Sequence, residues 1–354
     1  MTNVTKYAVS LPLALMATNA LAGGMEKTAL STAFMYETGS YAELSFQNSD
    51  YDVSSSSGGN VSVVNDFTTT NFAFKFDFND QLSFGVARYV QANIGLDYPN
   101  NWGGLGASSL PTALLDVDAT VGLVRYEFSE NISVLGGVKV STIHDATLKV
   151  PVFPVAYGGP IDSAVSGDSE TSYIYGVVYE RSEIALRAEL IREEEAAFSL
   201  NTLDGNRGSI VTSAGLPNYT TLNLQSGVAE DTLVFASARW ADWSTHQVIL
   251  GVVPLTSYED TATYTVGVGR KFSDTLSGSL SYNWEEGSGP TSLSALAITD
   301  GYQGISAGVK YTAGDLTISG GVNFTSLGDV AVTGVGSFAD NTVTTVGLRV
   351  GYHF

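Results

Sequence analysis

The last nine residues, Val346-Gly347-Leu348-Arg349-Val350-Gly351-Tyr352-His353-Phe354, alternate apolar side chains with polar or small ones and stop on an aromatic. Successive side chains of a strand point to opposite faces, so this stretch presents one apolar row and one polar row. A strand between lipid and an aqueous lumen needs that division, with an aromatic at the interface. An amphipathic strand of a soluble sandwich has the same period, and the rest of the chain must separate the two.

At the other end, Lys6 precedes a short apolar run from Tyr7 to Ala17, and Ala20-Leu21-Ala22 has the small-x-small form of a signal-peptidase site. Residues 1–22 are therefore expected to be a signal peptide, leaving a mature chain that begins Gly23-Gly24-Met25. The run is too short, and broken by Pro12, to span a bilayer as a helix, and no other stretch approaches the roughly 18 apolar residues that would. A membrane protein with this sequence has to be a barrel. The composition agrees, with 38 Gly, 18 Tyr, 16 Phe and only 15% charged residues, the apolar ones scattered in short alternating segments. The absence of cysteine excludes disulfides and thiolate chemistry. A formal charge of −20, from 16 basic and 36 acidic residues, excludes the basic surface that nucleic acid requires. The acidic residues collect in stretches expected to be exposed loops, where they solvate the protein or bridge through divalent cations to lipopolysaccharide.

Six short polar connections recur: 79–81, 129–131, 181–183, 229–231, 273–275 and 313–315. Each is flanked by alternating segments of roughly ten residues, while the intervening connections are longer and rich in Gly, Ser, Thr, Asn and Asp. Short turns at one end and long loops at the other are the asymmetry of an outer-membrane barrel, the short side periplasmic. Fourteen strands follow, near 40–51, 70–79, 81–92, 117–128, 131–146, 170–180, 183–194, 218–228, 231–250, 261–272, 275–286, 302–312, 315–327 and 342–354. The fold class is all-β, a fourteen-stranded antiparallel transmembrane barrel over 39–354 with both termini periplasmic. Parity puts Phe72, Phe74, Phe76 and Phe78 outside, with Tyr173, Tyr175, Val177 and Tyr179, Leu276, Leu280, Tyr282 and Trp284, and Ile305, Val309 and Tyr311. Phe78, Phe128, Tyr179, Phe272 and Tyr311 stand just before the short turns, where an interfacial girdle belongs.

Two stretches resemble the FadL-type long-chain fatty-acid transporters. Leu96-Asp97-Tyr98-Pro99-Asn100-Asn101-Trp102-Gly103-Gly104-Leu105-Gly106-Ala107-Ser108-Ser109-Leu110 is similar to that family's loop after the third strand. Asp231 to Ser244, which contains Trp240-Ala241-Asp242-Trp243-Ser244, is similar to its strand ending in Trp-x-x-Trp-Ser. The resemblance covers most of 70–354. It implies passive passage of hydrophobic molecules, most plausibly long-chain fatty acids, from extracellular loops into the barrel and sideways into the membrane through a gap near the third strand. It also implies an N-terminal plug. The family's Asn-Pro-Ala element is absent, so only 23–38 is left as a short plug-like segment, with Met25 expected to reach into a lumenal pocket.

On this reading the substrate-binding candidates are Met25 with Ile94, Leu96, Tyr98, Trp102, Leu105 and Leu110, the last six in an unusually apolar loop, 93–115, that either captures cargo or packs on the barrel rim. Lys75, Arg125, Lys139, Arg187, Arg239, Lys310 and Arg349 fall on the lumenal parity opposite Asp77, Glu127, Glu180 and Glu189. Cross-strand ion pairing is the expected role for most of them, and pairing with a substrate carboxylate the alternative. Arg88 falls on the outward parity, either re-aimed by a bulge or snorkelling at the interface. No catalytic constellation, metal cluster or cofactor motif is evident: the only imidazoles are His144, His246 and His353, and Asp116-x-Asp118 alone is a weak metal signal. Expected partners are a hydrophobic small molecule, outer-membrane lipid and lipopolysaccharide, and, because a terminal aromatic resembles its recognition signal, the barrel-assembly machinery. The rivals are a nonspecific porin for small polar solutes and a structural or adhesive surface barrel.

Overall fold

In the computed structural model, which describes residues 25–59, 61–98, 111–150, 159–289, 291–292, 294, 296–333 and 335–354, fourteen strands close an antiparallel barrel. They are β1 (Tyr41–Asp52), β2 (Phe67–Asn79), β3 (Leu82–Asp97), β4 (Thr112–Glu127), β5 (Ile132–Ile143), β6 (Asp168–Arg181), β7 (Leu186–Glu193), β8 (Tyr219–Ala229), β9 (Thr232–Ala241), β10 (Thr261–Lys271), β11 (Leu276–Glu285), β12 (Tyr302–Ala313), β13 (Leu316–Leu327) and β14 (Thr342–His353). Each pairs with its chain neighbours, and β14 returns to β1 in a register from Tyr41 opposite His353 to Asp52 opposite Thr342. Closure leaves no free edge, which a wall in an apolar solvent requires. The terminal nonapeptide is thus the closing strand, and all six expected short turns join consecutive barrel strands at one end.

The alternation assigns the faces as expected. Phe72, Phe74, Phe76 and Phe78 are exposed on the outer side of β2, as are Tyr173, Tyr175, Val177 and Tyr179 on β6. Phe78, Phe128, Tyr179, Phe272 and Tyr311 are all exposed beside the short turns. Trp284 is outward on β11 but half-buried, because it stacks on Tyr264 of β10 with ring centroids 5.2 Å apart.

The expectations err at the long-loop end. The third and fourth strands do not stop at 92 and start at 117; they continue together to Asp97 and from Thr112, so much of the expected loop is wall. The long ninth segment, whose length allows a bulge or a separate short strand, holds the latter: the barrel strand ends at Ala241, a 3-10 turn at Trp243–Thr245 follows, and Ile249–Leu250 is a strand of its own. The paired strands Ala146–Val150 and Ile161–Val165, and the hairpin 196–216, extend the wall above β4 to β9, through the pairings Thr112–Lys149, Ala146–Val165 and Leu203–Ala164. Their inner side chains, among them Ile161, Phe198 and Leu200, join Leu250, Tyr258, Ile298 and Phe338 in a large apolar core capping that end. Asp204 ties two hairpins together, accepting from Ser163 Oγ at 2.7 Å and from the backbone N–H of Asp162, Asn206 and Arg207. Burial raises its carboxyl pKa, but these hydrogen bonds outweigh that and the net shift is downward.

Candidate functional site

Residues 25–38 lie against inward-facing side chains from one end of the barrel to the other. At the short-turn end, Thr38 O accepts from His353 Nδ1 at 3.0 Å and Glu37 O from Lys75 Nζ at 2.5 Å. A 3-10 turn, Ala33–Tyr36, then buries Phe34 and Met35 against β3 at Gly85. A Cβ on Gly85 would lie 2.2 Å from Met35 Sδ and 2.7 Å from Phe34 Cε2, so the approach depends on the missing side chain. Tyr36 sits between the Arg125 and Arg187 guanidiniums, 4.8 and 4.1 Å from its ring centre, and donates its hydroxyl to Glu189. Thr32 Oγ1 also donates to Glu189, at 2.8 Å.

At its upper end the segment enters the wall. The β2–β3 register stops at Phe72 opposite Arg88, although β2 continues to Phe67 against β1 and β3 continues to Asp97 against β4. Past Arg88, the edge of β3 that β2 leaves takes other partners. Val90 N donates to Asn71 Oδ1 at 3.2 Å, Lys27 N donates to Gln91 O at 2.8 Å, and Asn93 N donates to Met25 O at 3.3 Å. Higher up, Asn65 N donates to Gly95 O and Asp97 N to Val63 O, both at 2.9 Å. A seam between β2 and β3 is thus filled by two non-barrel pieces of chain. A β-bulge between Val90 and Ala92 accompanies it, and the extra residue reverses the side-chain parity.

That reversal decides where the sequence candidates go. Ile94 and Leu96 turn inward and are buried with Met25 and Tyr98 in the cap core rather than displayed on an exposed loop, as the packing alternative required. Trp102, Leu105 and Leu110 lie outside the described residues. Arg88 precedes the bulge and stays outward, neither re-aimed nor free: it pairs with Asp118, which also meets His144 Nε2 at 2.7 Å. Asp116 accepts from Asn93 Nδ2 at 2.6 Å, so the Asp-x-Asp pair serves the outer face of β4.

The lumenal cations are mostly paired. Lys75 meets Asp77 at 2.7 Å, Arg125 meets Glu127 at 2.7 Å and also Glu180, and Arg349 meets Glu43 at 3.6 Å. Arg187 donates to Gln225 at 3.2 Å besides covering Tyr36, and Lys310 lies on the inner parity of β12. Deepest is a chain of four charges: Lys139 to Glu193 at 3.0 Å, Glu193 to Arg239 at 2.8 Å, and Arg239 to Glu26 at 2.6 Å. Arg239 also lies over the Tyr219 ring at 4.0 Å. Buried ions persist only with such geometry, and a bidentate guanidinium–carboxylate contact is its strongest form. Sequence reasoning missed Glu26 and Glu193; the inward parity shared with Glu189 and Ile191 marks Glu193, whereas Glu26 has no such signal. A cavity of about 200 Å³ runs beside the segment. Leu30, Phe34 and Phe235 line it together with Tyr89 and Arg239, and it reaches the seam at Phe72 and Arg88.

No protein-family model matches the sequence, and no curated protein matches it. Solved structures do. A Pseudomonas aeruginosa FadL homologue superposes with a TM-score of 0.76 at 15% identity, over 91% of this chain and 92% of that one. The Pseudomonas putida toluene transporter TodX gives 0.68 at 13% identity, over 96% and 99%. The Ralstonia pickettii toluene transporter TbuX gives 0.66 at 10%, over 93% and 96%. The fold of this chain is that of the FadL-type transporter barrels.

Proposed function

We propose that the protein sits in the outer membrane of a Gram-negative bacterium and passively admits hydrophobic compounds, long-chain fatty acids above all, releasing them sideways into the bilayer. Residues 1–22 act as the signal peptide and 23–38 as a short plug. Lipopolysaccharide keeps apolar solutes from the outer leaflet, so a carrier must take them through its own wall. The observation that supports this reading is the β2–β3 seam, where barrel pairing ends at Phe72 and Arg88 and a cavity lined by both apolar and charged side chains arrives from inside. Met25, Ile94, Leu96 and Tyr98, which belong to the apolar core beside the seam, are assigned with Trp102, Leu105 and Leu110 as the substrate contacts. Fatty acids fit a lumen that offers guanidinium groups beside apolar surface better than neutral hydrocarbons do. The porin alternative lacks an observation in its favour, since the segment from Met25 to Thr38 occupies the lumen a polar solute would cross.

The reading is tested by uptake of radiolabelled hexadecanoate and of a disaccharide into cells that express or lack the protein. The protein is expected to accelerate the first and not the second. Rapid disaccharide entry with no gain for hexadecanoate contradicts it. Removal of Phe354, the interfacial aromatic of the closing strand and the signal for the assembly machinery, is expected to lower the amount of heat-modifiable barrel in the outer membrane; undiminished insertion makes that residue dispensable.

A further inference from the structure

The contact between Arg239 and Glu26 differs from the other ion pairs of the lumen. Apart from His353 with Glu37 at the short-turn end, those join wall residues to each other, whereas Glu26 comes from the N-terminal segment, 213 residues away in sequence. The guanidinium uses its two edges differently. Nη1 is committed to the wall, donating to Glu193 at 2.8 Å and to Thr221 Oγ1 at 2.7 Å. Nε and Nη2 together grip the Glu26 carboxylate, at 3.0 and 2.6 Å. Glu193 already has Lys139 as counter-ion, so the positive charge of Arg239 is left over for a second carboxylate.

Arg239 also lines the cavity, as does Tyr89, whose buried hydroxyl has no hydrogen-bond partner among the described residues. An unpaired buried donor beside a guanidinium suits an incoming oxygen anion. Leu30, Phe34 and Phe235 give that cavity an apolar side, while Glu43, Glu189, Arg187 and Arg349 line other parts of it. An apolar cavity of about 150 Å³ holds a benzene molecule, so about 200 Å³ takes the head and first carbons of an acyl chain, or an aryl acid.

We infer that Arg239 and Tyr89 form a receptor for the carboxylate of an amphiphilic acid, and that Glu26 occupies this receptor as an internal stand-in for the ligand. Cargo carboxylate enters the site by exchange with Glu26, so the resting protein is its own competitive inhibitor. No bond is made or broken; one carboxylate replaces another on the same two N–H groups. The inference rests on the proposed transport of fatty acids and adds where their carboxylate is held and which residue of the chain holds that place beforehand.

The test compares hexadecanoate with hexadecan-1-ol, equal in chain length but uncharged, by equilibrium binding to the full chain in a nonionic detergent. Glu26→Gln vacates the receptor, and an occupied competitor reduces apparent affinity by the fraction of time it holds the site. Hexadecanoate affinity is therefore expected to rise about tenfold in Glu26→Gln, with no change for the alcohol. Arg239→Gln is expected to lower hexadecanoate affinity about tenfold, the loss of one charge-assisted contact, and again to spare the alcohol. Glu26→Asp, which retains the charge on a shorter stem, keeps the test valid if the amide variant misassembles, and its hexadecanoate affinity is expected between those of wild type and Glu26→Gln. Parallel weakening of acid and alcohol in the Glu26 variants means the pair only holds the segment in place and overturns the inference. Wild type binding the alcohol as tightly as the acid overturns it while leaving hydrophobic transport intact; wild type binding neither removes the transport reading itself.

Discussion

The two halves of β3 are built from one continuous strand but closed in different ways. From Leu82 to Arg88 it is bonded on both edges by barrel strands; from Gln91 to Asp97 β4 holds one edge, while Met25 to Thr28 and Val63 to Asn65 hold the other. An open edge in an apolar solvent costs several kcal/mol for each unsatisfied group, so some partner is obligatory. A barrel strand fixed by register in a closed wall cannot leave without breaking the barrel. A segment tied by a few backbone hydrogen bonds, by Glu26 on Arg239 and by Thr32 and Tyr36 on Glu189 can leave while the fourteen-strand ring stays whole. The lower half of β3 is therefore held on both edges by the ring itself, and the upper half on one edge by chain that is not part of the ring.

Removing the filler is the largest perturbation of that contrast. Deletion of Met25 through Ser31, with the signal peptide kept functional, is expected to raise single-channel conductance in planar bilayers and to weaken retention of a fluorescent fatty-acid analogue, while heat-modifiable migration persists. Unchanged conductance and retention would make the segment a mere tail. A smaller effect is expected from Gly85→Leu, which pushes Met35 and Phe34 out of their seat; overpacking of this kind costs about 1–3 kcal/mol. Its retention of the analogue should fall between wild type and the deletion. Gly122→Leu on β4 is the control, because a Cβ there meets nothing nearer than Val138 Cγ2 at 3.9 Å. Equal loss in both variants would assign the effect to the wall and not to the segment. The smallest effect belongs to Arg88→Leu at the last two-sided residue. Its pair with Asp118 has 43% of the arginine side chain exposed, and such surface pairs contribute at most about 1 kcal/mol. The temperature of the heat-modifiable transition should hardly move; a large drop would mean the seam is held closed from outside.

Most of the barrel is legible in the sequence because lipid on one side and lumen on the other impose one period on every strand. Rows such as Phe72 to Phe78 and Tyr173 to Tyr179 reveal face and height together. The hairpin 196–216 alternates just as regularly inside, with Ala196, Phe198 and Leu200, but its outer residues include Ser199 and Asn201, and without an apolar outer row it passes for loop. The bulge at Val90 to Ala92 is not legible, since nothing local in Val90-Gln91-Ala92-Asn93 says which residue is surplus; only the partner strand does. It carries Ile94 and Leu96 inward, so an error of one residue there turns a buried core into an apparent surface patch. Parity alone identifies Lys139 and Arg239 as lumenal, yet their partners are tertiary facts. The distance of 213 residues between Glu26 and Arg239 leaves no trace in either neighbourhood.

Whether cargo crosses the lumen and leaves at the upper half of β3 is measured most directly by photo-crosslinking. Hexadecanoate with a diazirine at its tail would be irradiated with the protein in outer-membrane vesicles, and its adducts mapped by mass spectrometry, with and without excess unlabelled acid. The account predicts competable adducts on the cavity-lining residues Leu30, Phe34, Tyr89 and Phe235, above the background that membrane-dissolved probe leaves on the outer surface. Adducts confined to outward residues such as Tyr173 and Ile305, and unaffected by competitor, would show that the acid never enters the barrel and would contradict it.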